Sequence, residues 1–424
     1  MTDPRRLVPR TDTVLADPRL REAGARLGPH VIRSAVQAAQ EQVRDGAVDP
    51  AGAADLAVSL LPALATTLRP VLNATGVVLH TNLGRAPLSP AAVDAVVAAS
   101  AYVDVEYDIE TGARARRGRG TVQALKQAVP AAQDVLVLNN GAAALVLCTT
   151  ALAAGREVVV SRGELVEIGD GFRLPDLMTA TGALLREVGT TNRTHLADYA
   201  QAIGPETGCL LKVHPSNFRV EGFTSAVAVR ELATLGVPVI VDVGSGLLSP
   251  EPALPDEPDV ASALEAGAGL VTCSADKLLG GPQAGLVFGC ADLVDQVRRH
   301  PLARALRVDK LTLAALEATL RGSRTPVLQA IRLDAEVLRG RSERLATAVG
   351  GEVVPSVGAV GGGGAPGHAL AGWAVALPVD YAERLRRGDP CVVARVERGR
   401  CLLDLRCVPD DDDDRLQAAV RACR

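Results

Sequence analysis

Residues 269–289 read GLVTCSADKLLGGPQAGLVFG, and this stretch decides the fold. Two apolar, β-rich runs, 269–274 and 285–289, are joined by a short link that contains Lys277. The runs begin about 16 residues apart, which leaves no room for a crossover helix and predicts that the second strand is antiparallel to the first. We expect the link to be an exposed, sharply turned loop at the carboxyl edge of a sheet, where open α/β sheets bind ligands.

Five further apolar runs precede this pair, and their spacing indicates a parallel sheet. Successive runs begin roughly 23 to 31 residues apart, which is enough for a strand and a crossover helix. The runs are DVLVL (134–138), EVVVS (157–161), ALLREV (183–188), CLLKV (209–213) and PVIVD (238–242). The predicted fold class is therefore α/β, with a mostly parallel seven-stranded sheet.

The regions on either side of these runs predict two more domains. Residues 1–66 have apolar positions three and four apart, which predicts an N-terminal helical domain whose last helix continues to the break at Arg69-Pro70. Residues 67–308 then form the large domain. Long helical stretches followed by shorter strands predict a C-terminal α+β small domain over 309–424.

Two low-complexity runs in the C-terminal region favour structural roles. The glycine run Gly361–Gly364 lacks the frame of a phosphate-binding motif and predicts a flexible loop. The acidic run Asp410–Asp414 predicts the N-terminus of a helix, where negative charge is favourable.

Composition and charge exclude several classes of protein. The chain has 424 residues, is 48% hydrophobic and has a formal net charge of -4, which excludes a disordered chain and a uniformly basic nucleic-acid coat. No apolar run reaches the ~18 residues of a membrane span, and the N-terminus has no apolar signal segment. We therefore expect a cytoplasmic protein with no membrane partner. The eight cysteines are scattered without a C-x-x-C pair, so we expect neither a disulfide framework nor a metal site.

Lysine is rare in this chain, and its rarity draws attention to Lys277. Only four of the 45 cationic residues are lysine, and the others are Lys126, Lys212 and Lys310. A GC-rich genome would explain the excess of arginine. Arginine cannot form an imine, so chemistry that needs an amine would retain lysine against that bias.

Two other features, together with Lys277, point to pyridoxal phosphate. Asp242 ends the apolar strand VPVIVD, where a carboxylate could pair with the protonated pyridine nitrogen. The alternative for Asp242 is a helix N-cap. The stretch LNNGAAALVL (138–147) predicts a strand, a polar turn and a helix, whose first amides can bind a phosphate. In this order the three features are typical of a fold-type I pyridoxal-phosphate enzyme.

Eight longer stretches, in order along the chain, carry a family resemblance. They are LNATGVVLHTNLGRAPLS (72–89), EYDIETG (106–112), VVVSRGELVEIGDGFRLPD (158–176), REVGTTNRTH (186–195), HPSNFRVEGF (214–223), DVGSGLL (242–248), SADKLLGGPQAG (274–285) and HPLARALRVDKLTLAALEATL (300–320). With them the chain resembles the bacterial selenocysteine synthases, the L-seryl-tRNA(Sec) selenium transferase family. The resemblance implies conversion of seryl-tRNA(Sec) to selenocysteinyl-tRNA(Sec) through a dehydroalanyl intermediate on pyridoxal phosphate, with selenophosphate as selenium donor.

The resemblance also implies roles for individual residues. Lys277 would hold the cofactor and act as the α-proton base, and Asp276 would orient the amine or handle the leaving hydroxyl, unless it only stabilises the turn. The cofactor would be bound by Lys277 and by Asp242, Asn139, Asn140, Gly141, Ala142, His214 and Ser274. His214 is either a ring-stacking or imine-adjacent group, or a packed histidine at a strand end.

Arginines in the resembling stretches are candidates for binding the phosphorylated substrates. Arg85, Arg304 and Arg307 are expected around selenophosphate, because a guanidinium binds phosphate in a bidentate fork. Arg119 belongs to a cluster with Arg114, Arg116 and Arg117 that suits an RNA backbone or a contact between subunits. A solvated basic loop is the alternative for this cluster.

The resemblance further implies tRNA binding by the N-terminal domain and a homo-oligomer, a decameric ring of five dimers. Residues 1–50 contain eight Arg against seven acids, so charge does not itself indicate RNA binding there. A related enzyme that eliminates from a small amino acid or a sugar acid without tRNA is the alternative function. A non-catalytic RNA-binding protein on the same fold is disfavoured by the presence of both Lys277 and Asp242.

Overall fold

The computed structural model describes residues 8–169 and 171–423. It divides into two compact units, with the division between Pro70 and Val71. Residues 1–7 of the predicted helical domain lie outside the described residues. The domain ranges 1–66, 67–308 and 309–424 stay predictions.

The first unit is helical. Its helices are α1 (Thr11–Leu15), α2 (Pro18–Ala23), α3 (Pro29–Arg44) and α4 (Ala53–Ser59). Proline in the first turn of α2 and α3 has its φ preset for a helix and needs no partner for an amide. All four helices contribute apolar side chains to one core, in which Val36, Ala39 and Ala57 are fully buried.

The last helix of this unit is shorter than the sequence predicts. Helix α4 ends at Ser59 rather than at the Arg69-Pro70 break, and residues 60–70 are turns and irregular structure. Pro62 is the physical reason, because proline has no amide to donate and disfavours the helical conformation of the residue before it.

The second unit begins with two short strands and continues as alternating strands and helices. Its elements up to residue 305 are β1 (Val71–Ala74), β2 (Val77–Leu79), α5 (Pro90–Ala99), α6 (Arg119–Ala128), β3 (Asp134–Leu138), α7 (Gly141–Ala153), β4 (Glu157–Ser161), α8 (Leu174–Ala180), β5 (Leu184–Val188), α9 (Leu196–Ala202), β6 (Thr207–Val213), α10 (Val229–Leu232), β7 (Val239–Gly244), α11 (Val260–Glu265), β8 (Leu270–Ser274), β9 (Gly285–Gly289), α12 (Ala291–Arg299) and α13 (Leu302–Ala305). The remaining elements are α14 (Lys310–Arg321), α15 (Pro326–Arg332), α16 (Ala335–Val349), β10 (Glu352–Gly361), β11 (Ala369–Pro378), α17 (Tyr381–Arg387), β12 (Cys391–Glu397), β13 (Arg400–Asp404) and α18 (Asp413–Ala422). Among the described residues, no helix combines the length and the apolar character needed to cross a membrane.

The large sheet has seven strands in the order β3-β9-β8-β7-β6-β4-β5. The pairs from β8 to β5 are parallel, and β9 is antiparallel to both of its neighbours. The predicted α/β class, the mostly parallel sheet and the antiparallel direction of the last strand are confirmed. Apolar clusters lie on both faces of this sheet, which explains why its strands read as continuous apolar runs.

A second sheet has six strands in the order β1-β12-β13-β11-β10-β2. Its two outer strands come from residues 71–79, which the sequence groups with the large domain, and they pair in parallel with strands more than 250 residues later in the chain. Helices α16 and α18 contribute to the core beside this sheet through Leu338, Leu345 and Leu416. The C-terminal part of the chain is therefore α+β, as predicted, but its sheet is completed by the start of the unit.

The acidic run near the C-terminus has two structural contacts. Asp413 and Asp414 lie in the first turn of α18, as the sequence predicts. Asp413 also accepts a 2.6 Å contact from Arg341, which is 3% exposed, and Asp410 contacts the same guanidinium at 2.8 Å. The acids therefore also neutralise a buried cation.

Candidate active site

Lys277 lies in the loop between β8 and β9, and this loop is buried. The Leu278 amide donates to the Ser245 carbonyl at 2.8 Å, which ties the loop to the end of β7. Leu278 also packs in an apolar cluster with Val327 and Val360. Lys277 is therefore only 9% exposed. The exposure that the sequence predicts for this loop is wrong, because α15 and β10 cover it.

The surroundings of Lys277 favour its neutral amine. Burial lowers the pKa of Lys277 below the ordinary value of 10.5, and the positive charge of Arg85 lowers it further. The carboxylates of Asp242 and Asp276 oppose this shift without reversing it. A neutral amine is the form that acts as a nucleophile or a base.

The glycine run that follows β10 lies against Lys277. A Cβ atom on Gly363 would lie 2.7 Å from both Cε and Nζ of the lysine, and Gly363 has a φ of 94°. Glycine is needed there both for the left-handed backbone and for the close approach. Gly363 and Gly364 are buried, so the segment predicted to be a flexible loop is a packed part of the site. We call residues 361–367 the glycine loop.

Asp242 lies inside β7, next to the lysine loop. Its Oδ1 accepts a hydrogen bond from the Thr272 hydroxyl at 2.7 Å. The N-cap alternative is excluded for the next helix, because α11 is capped by Asp259. Burial raises the pKa of Asp242, while the Thr272 hydrogen bond and the charge of Lys277 oppose the shift. A cation in contact with this carboxyl group would therefore stabilise its ionised form.

The predicted phosphate turn joins β3 to α7. Asn140 is the N-cap of α7, and its Oδ1 accepts the Ala143 amide at 2.8 Å. The amides of Gly141 and Ala142 come before the capped one, and amides of a first helical turn have no carbonyl one turn earlier to bond. A Cβ atom on Gly141 would overlap Ser274 Oγ. The structure thus brings the turn and Ser274 together.

Arg85 and Asp276 form an ion pair beside the lysine. Arg85 Nη1 lies 2.9 Å from Asp276 Oδ2, and the Ala86 amide donates to the Asp276 carbonyl at 3.3 Å. Arg85 has a φ of 62°, which turns the chain so that both contacts form. The pair joins the segment after β2 to the lysine loop.

Arg307 lies beside the phosphate turn. It forms an antiparallel bridge with Leu138, and the neighbouring Asn139 amide donates to the Leu306 carbonyl at 2.9 Å. Arg304 is exposed on α13, the short helix that directly precedes Leu306 and Arg307. Both arginines thus lie on the segment that flanks the turn.

One carboxylate, Glu106, forms ion pairs with three arginines. It lies 3.5 Å from Arg307 and 3.2 Å from each of Arg117 and Arg114. Arg119, at the start of α6, has other partners, Asp104 at 3.5 Å and Asp108 at 3.8 Å. These contacts do not join Arg119 to the lysine loop.

His214 follows β6 and lies beside the strand that contains Asp242. Its amide donates to the Asp242 carbonyl at 3.0 Å, and its Nε2 lies 3.4 Å from Glu257 Oε2. A cavity of about 570 Å³ opens beside the imidazole and is also lined by Lys212, which pairs with Glu164 at 2.8 Å. The two alternatives for His214, a cofactor contact and a packed strand-end residue, both stay open.

Comparison with known proteins identifies the family. A family model described as L-seryl-tRNA selenium transferase matches residues 71–409, and one described as selenocysteine synthase N terminal matches residues 5–44. The chain belongs to the L-seryl-tRNA selenium transferase family. Its predicted family resemblance is confirmed.

Individual relatives agree with this assignment. A protein from Moorella thermoacetica named L-seryl-tRNA(Sec) selenium transferase is 47% identical over 84% of this chain and 82% of its own length. A protein of the same name from Geobacter sulfurreducens is 43% identical over 98% of both chains. The solved structure of D-glucosaminate-6-phosphate ammonia-lyase has a TM-score of 0.60 at 20% identity and covers 84% of this chain and 95% of its own, which shows a shared fold.

The L-seryl-tRNA selenium transferase family uses pyridoxal phosphate, and the residues of this chain fit that cofactor. Burial destabilises the ionised form of Asp242, and a pyridinium N–H in contact with it would supply the positive charge that offsets this cost. The space at Gly141 next to Ser274, which a Cβ would fill, is a cradle for a phosphate. Lys277, with its lowered pKa, supplies the amine.

Sequence reasoning missed several residues of this transferase site. For Gly363 the sequence signal was the glycine run itself, which matches no phosphate-binding motif. Glu106 lies in the resembling stretch EYDIETG, but its role as a hub for arginines depends on the fold. Glu257 and Thr272 had no signal, because each acts through a partner that is distant in sequence.

Proposed function

We propose that this chain converts seryl-tRNA(Sec) to selenocysteinyl-tRNA(Sec), with selenophosphate as the selenium donor. The observation that carries the proposal is the setting of Lys277. It is a buried amine of lowered pKa, and Asp242 and the Arg85–Asp276 pair both act on its charge. Membership of the L-seryl-tRNA selenium transferase family supports the choice of reaction.

The residues around Lys277 divide the chemistry between them. When bound, pyridoxal phosphate supplies an electron-withdrawing ring that makes the α-proton of the seryl group acidic and allows the β-hydroxyl to leave. In this proposal Asp242 pairs with the ring nitrogen and keeps it protonated. Lys277, as a neutral amine, takes the α-proton. The first amides of α7, at Gly141 and Ala142, bind the phosphate with Ser274.

Asp276 is assigned to the β-carbon side of the reaction. The departing hydroxyl leaves as water and needs a proton, which Lys277 can return after it has taken the α-proton. The Asp276 carboxylate, in the same loop, is assigned to orient the ammonium group of Lys277 towards the hydroxyl. Arg85 holds Asp276 through the 2.9 Å ion pair, which fixes the direction of the carboxyl group.

The donor is assigned to Arg85, Arg304 and Arg307. Selenophosphate carries a phosphate group, which arginine binds through paired N–H groups. Arg85 contacts the lysine loop and Arg307 flanks the phosphate turn, which supports a donor site between them. Glu106 offsets the charge of Arg307 before an anion arrives.

The tRNA is assigned to the helical unit and to Arg119 with its neighbouring arginines. The match of residues 5–44 to a selenocysteine synthase N-terminal model supports a separate role for that unit. Aromatic residues make up only 2% of the chain, so phosphate and shape contacts must exceed base stacking. A cytoplasmic location and a decameric ring of five dimers complete the proposal, and the ring rests on family resemblance.

The absorbance of the purified protein tests this proposal. We expect a visible band that borohydride fixes covalently at Lys277 and that seryl-tRNA(Sec) shifts. Lys277→Arg should lose the band, whereas Lys212→Arg, the same change at a half-buried lysine outside the loop, should keep it. A band that responds to a free amino acid or sugar acid, but not to the tRNA, would favour an eliminase instead. No band with added pyridoxal phosphate would refute both enzymes.

A further inference from the structure

The buried carboxylate of Glu257 is not used by the reaction proposed above. Its side chain is 1% exposed, which is unusual for glutamate. Its Oε2 accepts the Ala365 amide at 2.7 Å, and its Oε1 has no hydrogen-bond partner among the described residues. A carboxylate held in this way costs stability, because burial without full hydrogen bonding is unfavourable.

The first partner of Glu257 is the glycine loop over Lys277. Ala365 has a φ of 44°, a left-handed conformation that is costly for a residue with a Cβ atom. The hydrogen bond from its amide to Glu257 holds the loop in this conformation. Two residues earlier, Gly363 lies against Cε and Nζ of Lys277, and Gly364 packs against Leu278.

The second neighbour of Glu257 is His214, whose Nε2 lies 3.4 Å from the same Oε2 atom but, like Glu257 Oε1, is buried with no hydrogen-bond partner among the described residues. The Glu257 carboxyl group is thus the acidic group that faces this buried ring nitrogen. The His214 amide is bonded to the Asp242 carbonyl, so the imidazole starts beside the strand of that carboxylate. One carboxylate therefore faces two sides of the candidate active site.

We propose that Glu257 is a positioning residue that holds the glycine loop over Lys277 and presents its carboxyl group to His214. Its hydrogen bond to the Ala365 amide keeps the loop closed over the lysine, and its carboxyl group sets the charge that the imidazole faces. This inference rests on the proposed cofactor site, but the loop contact exists in the protein chain alone and can be measured without turnover.

The test compares Glu257→Gln and Glu257→Ala by amide hydrogen exchange of residues 361–368 in the cofactor-free protein. The glutamine carbonyl can still accept the Ala365 amide, so exchange should stay close to wild type. Alanine removes the acceptor, and exchange should rise about tenfold, the effect of losing one buried hydrogen bond. If Glu257→Ala does not fold, Glu257→Asp, whose carboxylate is too short for both partners, takes its place.

The holoenzyme provides the second readout. Glu257→Gln removes the acidic group that His214 Nε2 faces at 3.4 Å, so the visible circular dichroism of the bound cofactor should change. The kcat should fall at least about tenfold, with little change in KM for seryl-tRNA(Sec), because the tRNA is bound elsewhere. Glu251→Gln is the control, since Glu251 is equally buried but pairs with Arg332.

Two results would overturn the inference. Wild-type exchange of residues 361–368 in Glu257→Ala would show that the carboxylate does not hold the loop. An unchanged dichroism and kcat in Glu257→Gln, or the same changes in Glu251→Gln, would reduce Glu257 to a general structural role. Loss of transferase activity in the wild-type chain would refute the proposed function and leave the exchange result intact.

Discussion

At the scale of single residues, burial acts on Lys277 and Asp242 in opposite directions. It lowers the pKa of the amine and raises the pKa of the carboxyl group, so each group is pushed towards its neutral form. Both could be singled out from the sequence, because a lone lysine in a tight strand link and an aspartate at a strand end are local features. The burial that tunes Lys277 could not, since it comes from Leu278, Val327 and Val360 packing across the fold.

We predict that covalent uptake of pyridoxal phosphate has a pH inflection below 10.5, the ordinary value for lysine. Only the neutral amine attacks the aldehyde, so the rate rises with pH through the pKa of Lys277 and then levels off. Because that pKa is lowered, the plateau begins at lower pH than for an exposed lysine. Stopped-flow absorbance of the cofactor-free protein after mixing with the cofactor measures the profile.

The contribution of Arg85 gives this prediction a control. Arg85→Ala removes a cation that lowers the pKa of Lys277, so the inflection should move to higher pH. Arg304→Ala, a change at an exposed arginine on α13, should leave it in place. An inflection at the ordinary lysine value in the wild-type protein would contradict the role given to burial.

At the scale of elements, the strands of the large sheet were predictable and the edges of the second sheet were not. Buried parallel strands are apolar on both faces, so runs such as 134–138 and 238–242 stand out in the sequence. Strands β1 and β2 have only four and three residues, and each pairs with a strand that lies beyond the whole large sheet in the sequence. Local patterns cannot report such distant pairing.

The start of α7, which we propose binds the phosphate, leads to a second prediction. Gly141→Ala should weaken cofactor binding at least about tenfold, because its Cβ would overlap Ser274 Oγ and displace the hydroxyl that we propose bonds the phosphate. In Gly141→Ala with Ser274→Ala the nearest approach relaxes to the Cβ of residue 274, at 3.6 Å. The double variant should therefore bind no more weakly than Ser274→Ala alone.

Equilibrium titration of the visible band gives the dissociation constant of each variant and completes the double-mutant cycle. Non-additive losses are the signature of two residues in direct contact. Strictly additive losses in binding free energy would show that Gly141 and Ser274 act independently, and the proposed phosphate site between them would then be wrong.

At the scale of the whole molecule, the chain separates its reacting groups from its helical unit. Lys277, Asp242, the phosphate turn and both sheets lie after Val71, and the four helices before Pro70 have a core of their own. The helical character of that first unit could be predicted from its apolar spacing. An RNA-binding role could not, because eight Arg and seven acids in residues 1–50 nearly cancel.

Removal of residues 1–70 is the third prediction, and it tests that separation. The cut leaves β1 intact from Val71, so both sheets keep all their strands and the remaining chain should fold. It should bind pyridoxal phosphate and be fixed by borohydride at Lys277 as the full chain is, because every proposed cofactor contact lies after the cut. Seryl-tRNA(Sec) should no longer shift the band, and its affinity should fall by about a hundredfold or more, since many phosphate contacts add up to tight binding.

Absorbance and filter binding at one fixed salt concentration measure the two effects. The full-length chain with Arg119→Ala is the control, and we expect it to lose less affinity than the truncated chain. A truncated chain that still responds to the tRNA as the full chain does would place recognition in the sheet-containing unit and would leave the helical unit without the role proposed for it.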